Sequence, residues 1–352
     1  MTQAPSPASN PWHDSAFLKA CRREAVPYTP VWLMRQAGRY MKEYRELREK
    51  TPFLRLCKSP QLVSEITVFA AERIGADAAI LFSDLLLPAQ PMGLKLEYTK
   101  EEGPTLTPAV RSAESIDALK EVDPDSLNYV YEAVRLTRRE MPSNLPLIGF
   151  GGAPFTLASY LIEGGHSRNY EHTKTLMYGD PGAWNALLAK LVRCQTQFLN
   201  RQLRAGASAV QVFDSWVGTL SPSDYRTFVQ PHTRALIEGL DGGHPVIHFG
   251  TGNAGLLAEM RAAGGTVIGL DWRVDLDRTW DQLGPDVAVM GNLDPCALLA
   301  DEAHLEKEVK RVLAQAGNRP GHVFNLGHGV LPQTQVDRVR RLVDLVHESS
   351  RR

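Results

Sequence analysis

Ala209-Val-Gln-Val-Phe213, Val246-Ile-His-Phe249, Val267-Ile-Gly-Leu270 and Val287-Ala-Val-Met290 follow one another along the second half of the chain, and their recurrence decides the fold. Each run is too short for a helix. Each is also nearly continuous in apolar character, as parallel strands buried on both faces are. Working outward, the pattern occurs four more times, at Val31–Met34, Ala78–Phe82, Leu147–Phe150 and Val323–Asn325, which makes eight runs.

The segments between the runs read as helices. Gln61–Ile74 places Leu62, Ile66, Phe69 and Ile74 at helical spacing and stops at Gly75. Trp184–Leu203 does the same and ends at Gly206, just after Arg204. Tyr225–Leu240 starts behind Ser223-Asp224, read as its caps, and stops at Gly242-Gly243; Gln333–His347 follows Pro332. Capping residues at one end and glycines at the other are the expected punctuation. Alternating strands and helices imply right-handed βαβ units, and eight of them close into a barrel. The expected class is therefore α/β, a single (β/α)8 TIM barrel, with an open doubly wound sheet as the competitor. The stretches after the first and second strands, 35–77 and 85–146, exceed a plain crossover. Long insertions of that kind wall the site of such barrels.

Composition narrows the function classes. The 352 residues are 43% hydrophobic and 22% charged, with a formal net charge of -1. That balance gives no reason to expect nucleic acid as a partner, or a membrane held by bulk electrostatics. Cys21, Cys57, Cys194 and Cys296 show no CxxC spacing, so neither a disulfide framework nor a zinc site is expected. Residues 1–14 are rich in Pro, Ser and Ala and lack the apolar stretch of a signal peptide; they are expected to be disordered, with 15–352 forming one domain. No apolar run approaches the roughly 20 residues needed to cross a bilayer. The expected location is the cytoplasm.

In a barrel, polar residues just past the strand ends converge on one site. Here they are Arg35, Gln36 and Arg39, then Asp84, then the segment Gly151–Thr156, then Asp214 and Ser215. His248, Thr251 and Asn253, Asp271, Asn292 and Asp294, and finally His328 complete the set. No lysine follows a strand, so a Schiff-base enzyme has no nucleophile. The His-x-His pair of metal-dependent barrel hydrolases is missing after the first run, and no cysteine lies at a strand end. Cofactor-free chemistry, or chemistry carried by the substrate, becomes the leading class.

Each candidate has a plain structural reading beside the functional one. Arg35 and Arg39, four apart around a Gly, can present guanidinium forks to one anion. Equally, they can be surface residues of the helix opening into Lys42–Lys50, where Glu43, Glu46 and Glu49 could pair with Arg39, Arg45 and Lys50. Asp84 is a cap for a following turn, or a carboxylate in an apolar pocket, where low dielectric makes it a partner for a cationic intermediate. Gly151-Gly152 resembles a glycine turn opening a helix, a weak anion motif. Tyr160 reads as core or as ligand contact, Ser215 as a cap or contact, and Asp214 as a partner for an arginine. His328, between two glycines, reads as functional; His248 reads as structural.

These segments resemble the uroporphyrinogen decarboxylase family. One long signature is Pro30-Val-Trp-Leu-Met-Arg-Gln-Ala-Gly-Arg-Tyr40, continuing to Glu43-Tyr44-Arg45-Glu46. A second is Gly151-Gly-Ala-Pro-Phe-Thr-Leu-Ala-Ser-Tyr-Leu-Ile-Glu-Gly164. Ser83-Asp84 with Pro91-Met92-Gly93, Phe213-Asp214-Ser215 and Asn325-Leu-Gly-His-Gly329 support them. Met41-Lys42 departs from the family's common Leu-Pro. The resemblance implies removal of the four acetate carboxyls of uroporphyrinogen III, giving coproporphyrinogen III, with neither metal nor organic cofactor. It implies that Asp84 hydrogen-bonds the pyrrole N–H groups and that Arg35 is a general acid or a stabiliser of the scissile acetate. It implies that Arg35, Gln36, Ala37, Gly38 and Arg39 bind substrate, together with Tyr160, Ser215 and His328. A homodimer is implied too. Corrinoid-dependent methyltransferases of the same superfamily hold zinc with His-x-Cys, whereas His248-Phe249-Gly250 lacks the cysteine. A non-catalytic porphyrin carrier would keep the arginines but has no need of Asp84.

Overall fold

A computed structural model describes residues 10–99 and 103–352. Nine strands occur among them: β1 (Ala79–Ile80), β2 (Lys95–Thr99), β3 (Gly103–Thr107), β4 (Leu147–Gly152), β5 (Ala209–Asp214), β6 (Val246–Gly250), β7 (Val267–Gly269), β8 (Ala288–Met290) and β9 (His322–Val323). Seven of them form one curled, all-parallel sheet in the order β1-β4-β5-β6-β7-β8-β9. The sequential order from β4 onward means that each crossover returns to the neighbouring position, so helices cover the sheet.

Alternation along the strands divides the apolar residues into two sets. Ala78, Ile80, Ile148, Phe150, Ile247, Phe249, Val267, Met290 and Val323 pack together on one face. Ala79, Leu81, Leu147, Val210, Val212, Ile268 and Val289 join the helices on the other. Helix ends follow the expected chemistry. The helix Pro60–Ile74 starts on a proline and ends at Gly75 in the left-handed region, φ 69°. Asp180 caps Pro181–Ala205 by accepting from the Ala183 amide. The third expected helix is displaced: Ser221, not Ser223-Asp224, accepts from the Asp224 amide, and a π turn at Tyr225–Val229 precedes Gln230–Glu238. The last helix runs Val336–Ser350.

The first run, Val31–Met34, is the exception among the eight. It forms no regular strand; Val31 makes one parallel bridge to Phe324. Two side chains capture the amides that a ladder needs. Gln36 Oε1 accepts from Leu33 N at 3.2 Å, and Asn325 Oδ1 accepts from Met34 N at 3.2 Å. The segment still lies between the sheet's two ends. Phe324 N donates to the Pro30 carbonyl and Asp77 N to the Val31 carbonyl, both at 2.8 Å. Val31 and Leu33 belong to the helix-facing set, Trp32 and Met34 to the other, as strand alternation requires.

Asp77 fastens this region. Its Oδ2 accepts from Val31 N at 2.7 Å and lies 2.7 Å from His347 Nε2 on the last helix, while Oδ1 accepts from Tyr28 Oη at 3.0 Å. Asp77→Ala would strand a buried amide and two side chains. The expected loss is about 2–3 kcal/mol of stability, read as a lower denaturant midpoint; an unchanged midpoint would show the latch to be redundant.

Residues 85–146 hold an unexpected antiparallel hairpin, β2 and β3, paired from Lys95↔Thr107 to Thr99↔Gly103. Of the stretch expected to be disordered, residues 1–9 lie outside the described range. Residues 10–14 form a turn ahead of the helix Ala16–Cys21, with the Arg138 guanidinium 4.4 Å from the Trp12 ring centre. Among the described residues, no helix is long and apolar enough to cross a membrane.

Candidate active site

The loop after the first run is a tight turn. Arg35 sits at φ 62°, a conformation rare for a residue with a side chain. A Cβ on Gly38 would lie 2.7 Å from the Arg35 carbonyl, so the chain closes here only over glycine. Gln36 is fully buried. Its Nε2 donates to the Ala78 carbonyl at 3.2 Å, and its own carbonyl accepts from Tyr40 Oη at 2.8 Å. These bonds leave Arg35 and Arg39 exposed, with Ala37 and Gly38 half-buried between them. The helix Lys42–Lys50 begins only afterwards, so neither arginine is one of its surface residues; on that helix the ion pair is Lys42 with Glu46, 3.5 Å apart.

The Arg35 side chain crosses from this loop to the last strand end. It lies so close over Gly329 that a Cβ there would stand 2.6 Å from Cγ and 3.0 Å from Nε. Partial desolvation of the otherwise exposed guanidinium, with the charge of Arg39 adding to it, lowers the Arg35 pKa. Gly329→Ala should displace the guanidinium while leaving the fold intact, because Gly329 has no left-handed backbone to lose. We expect kcat/KM to fall about tenfold with an unchanged unfolding midpoint; unaltered kinetics would mean that the position of Arg35 is not critical.

Gly327 has the same kind of origin, since a Cβ on it would meet the Asp271 backbone carbon at 2.8 Å. His328, between these glycines, faces the Trp272 ring edge-on at 6.3 Å. Its pKa is pushed down to about 4, first by burial, then by Arg35 and Arg273, with Asp271 opposing. The imidazole is therefore neutral at physiological pH. Asp271, buried, accepts from Gly252 N and Arg273 Nη1, each at 2.6 Å, and so fixes the Arg273 guanidinium 3.8 Å from the centre of the Trp272 ring.

Asp84 lies past β1, half-buried. Its Oδ1 accepts from Leu86 N at 2.8 Å, the turn-capping role, and its Oδ2 accepts from the Tyr98 hydroxyl on β2. Burial raises the Asp84 pKa, and these two donors hold it back. Tyr160, on the helix Pro154–Glu163, is pushed up to about 12 by burial and then by the negative charge of Asp84, with Arg35 pulling the other way. One tyrosine thus feels both groups. Trp216 packs edge-on to Tyr160 at 5.7 Å and tilted to Tyr170 at 5.9 Å.

Ser215 is half-buried past β5, and its carbonyl accepts from Thr251 Oγ1 at 2.7 Å; it caps no helix. Together with Trp216, Thr251 and Arg273 it lines a shallow depression. Asp214 is fully buried and has no arginine partner among the described residues. It accepts from Thr156 Oγ1 at 3.0 Å and lies 3.9 Å from His248 Nε2. His248 is fully buried too, with Nδ1 3.4 Å from the Gly264 carbonyl. Gly151 and Gly152 are not a helix-opening turn but the end of β4. A Cβ on Gly151 would stand 2.5 Å from Gln195 Oε1, and one on Gly152 2.7 Å from Leu157, so packing requires both glycines.

Because the sheet is all-parallel, Asp84, Ser215 and His328 leave its strands at the same edge. The loop of Arg35 joins them through Gly329. Tyr98, Trp216 and Arg273 lie beside these groups but are not among the residues singled out from the sequence. Tyr98 needed the hairpin; Arg273 follows Asp271 by only two positions and could have been found there. Among the described residues, no group of three or more His, Cys, Asp or Glu side chains could hold a metal ion.

A family model described as uroporphyrinogen decarboxylase matches residues 13–349. The uroporphyrinogen decarboxylase of Sorangium cellulosum is 54% identical over 341 residues, covering 96% of this chain and 97% of the relative. That of Carboxydothermus hydrogenoformans is 51% identical, covering 96% and 97%. That of Streptomyces coelicolor is 50% identical and covers both chains completely. Among solved structures, a methyltransferase from Methanosarcina mazei is similar in fold, with a TM-score of 0.76 over 96% of this chain and 98% of that one. At 18% identity, that likeness speaks for the fold alone.

Proposed function

The chain belongs to the uroporphyrinogen decarboxylase family, and from that premise we propose that it removes carbon dioxide from the acetate side chains of uroporphyrinogen, with Asp84 and Arg35 at the reacting ring. The substrate is uroporphyrinogen III and the end product coproporphyrinogen III, in tetrapyrrole biosynthesis. The observation that carries the residue assignment is Asp84 itself: a carboxylate half-buried among apolar and phenolic groups, at the same sheet edge as a guanidinium.

In this reading the pyrrole is its own electron sink. A ring carbon takes a proton, and the resulting cation accepts the electron pair released as the bond to the acetate carboxyl breaks and carbon dioxide leaves. A second proton then converts the exocyclic methylene to a methyl, and loss of the proton first placed on the ring carbon restores the neutral aromatic ring. Asp84 accepts hydrogen bonds from the pyrrole N–H groups and stabilises the cation, a charge interaction strengthened by its low-dielectric surroundings. Arg35 donates the ring proton or holds the scissile acetate. Arg39 binds peripheral carboxylates, while Ala37 and Gly38 give the loop its close approach to substrate. Gln36 acts from behind, since its buried amide already serves the backbone. Tyr160, Ser215 and neutral His328 line the remaining wall.

Four further points belong to the same reading. Residues 15–352 form one domain in which the 31–34 segment closes the sheet into a (β/α)8 barrel; the bridge to Phe324 and the hydrogen bond from Asp77 N support this. The reaction uses neither metal nor organic cofactor, in line with His248 being followed by Phe249-Gly250 rather than a cysteine at the second position. The protein works in the cytoplasm, in line with four free cysteines. It pairs as a homodimer, with neither nucleic acid nor membrane as partner, which light scattering would check.

An anaerobic assay with uroporphyrinogen III tests the function, with products separated by number of carboxylates. Stepwise loss to the four-carboxylate porphyrinogen is expected. Tight binding without loss of carboxylates would make the chain a carrier.

A further inference from the structure

We propose that Tyr98 is a positioning residue of this site, whose hydroxyl, hydrogen-bonded to Asp84 from the hairpin, keeps the carboxylate aimed and charged for the reacting ring. The inference rests on the reading of Asp84 given above. It begins with the surroundings of that carboxylate. Among the described residues, the groups that feel its charge are Cys57 on the helix Phe53–Cys57, Tyr98 on β2, Tyr129 on the helix Asn128–Glu140, and Tyr160. None is a cation. Burial raises the pKa of all four, so at physiological pH they are neutral. Asp84 must therefore stay ionised in apolar surroundings without a paired positive charge, and hydrogen-bond donors do that work.

Two donors reach it, one on each oxygen. Leu86 N belongs to Asp84's own turn and would be present in any variant of the loop. The Tyr98 hydroxyl comes from a different element. Its ring is held edge-on against Phe53 at 4.7 Å, and Phe53 in turn packs edge-on against Phe82 at 5.9 Å, two residues before Asp84. The hairpin, which has no part in the main sheet, thereby delivers one polar atom to the reacting carboxylate. Each carboxylate oxygen keeps a second lone pair for a substrate N–H.

Tyr98→Phe removes the hydroxyl and retains the ring contact with Phe53. Two measurements separate this proposal from the assignment of the reaction. In ligand-free protein carrying 13C-labelled aspartate, the Asp84 carboxyl signal is identified by its absence in Asp84→Asn and titrated in both backgrounds. The Asp84 titration should move to higher pH in Tyr98→Phe. In steady-state kinetics kcat should fall about tenfold, with KM little changed, in line with loss of a charge-assisted hydrogen bond. The acid limb of the kcat profile should move up with the titration, which a purely structural role for Tyr98 would not cause. An Asp84 titration identical in the two proteins overturns the proposal whatever the activity. A shifted titration with unmoved kcat and acid limb also overturns it, because Asp84 would then be held by Tyr98 to no catalytic end. If wild-type protein releases no carbon dioxide, the reaction reading fails instead, and the titration still decides whether Tyr98 keeps Asp84 charged.

Discussion

Asp84→Asn is expected to lower kcat by about two to three orders of magnitude, the scale seen when a preorganised group facing developing charge is removed. The substitution keeps the shape. An amide oxygen can still accept from Leu86 N, and the amide nitrogen can donate to the Tyr98 hydroxyl oxygen. Only the negative charge is lost, which the proposed mechanism sets opposite the cationic ring. Stability should move the other way. Because burial raises the Asp84 pKa in the folded protein above its unfolded value, the fold favours the protonated form. That contribution is complete below the unfolded pKa and disappears as pH rises through the folded one, so at neutral pH the ionised side chain is a net cost. The Asn variant should therefore unfold at the same temperature as wild type or higher at pH 7, and the difference should shrink in acid. Circular dichroism melts at two pH values check this. A large loss of stability at pH 7 would assign Asp84 to the fold rather than to the chemistry.

Arg35→Ala is expected to cost about as much, two to three orders of magnitude in kcat/KM, by removing both the charge and its fixed position over Gly329. Arg35→Lys distinguishes the two roles open to the residue. Lysine carries the charge and a transferable proton, but lacks the planar fork that grips a carboxylate at two points. If Arg35 delivers the proton, Lys should restore kcat to within about tenfold of wild type. If Arg35 clamps the acetate, Lys should remain near the Ala variant. Steady-state kinetics on the three proteins reads the answer, and wild-type rates for Ala would remove Arg35 from the reaction.

Much of this arrangement is legible in one dimension, for identifiable reasons. Seven apolar runs became strands of one parallel sheet because residues such as Val210, Val212, Ile247 and Val289 are buried whichever face they point to. Val31–Met34 has the same composition but is trimmed to one bridge, since Gln36 and Asn325 take its amides. Side-chain competition of that sort leaves no mark in hydrophobic periodicity. The glycines flanking His328 announce a close approach, yet only the fold reveals what approaches: the Asp271 backbone on one side and the Arg35 side chain on the other. Gly151 and Gly152 mislead for the same reason, because a glycine required by helix packing looks identical to one that opens a turn. Asp84, Ser215 and His328 could be picked out because each lies within a few residues of a strand end. Tyr98 could not, because its link to Asp84 depends on a hairpin outside the repeating pattern.

The central claim is that the substrate's own ring takes up the electrons, steadied by a carboxylate of the protein. The most direct measurement follows uroporphyrinogen III anaerobically with chelator-treated protein, wild type and Asp84→Asn in parallel, counting carboxylates lost over time. The account predicts unchanged turnover by treated wild type, down to the four-carboxylate product, and almost none by the variant. Turnover that disappears on chelation and returns with a divalent cation would contradict it.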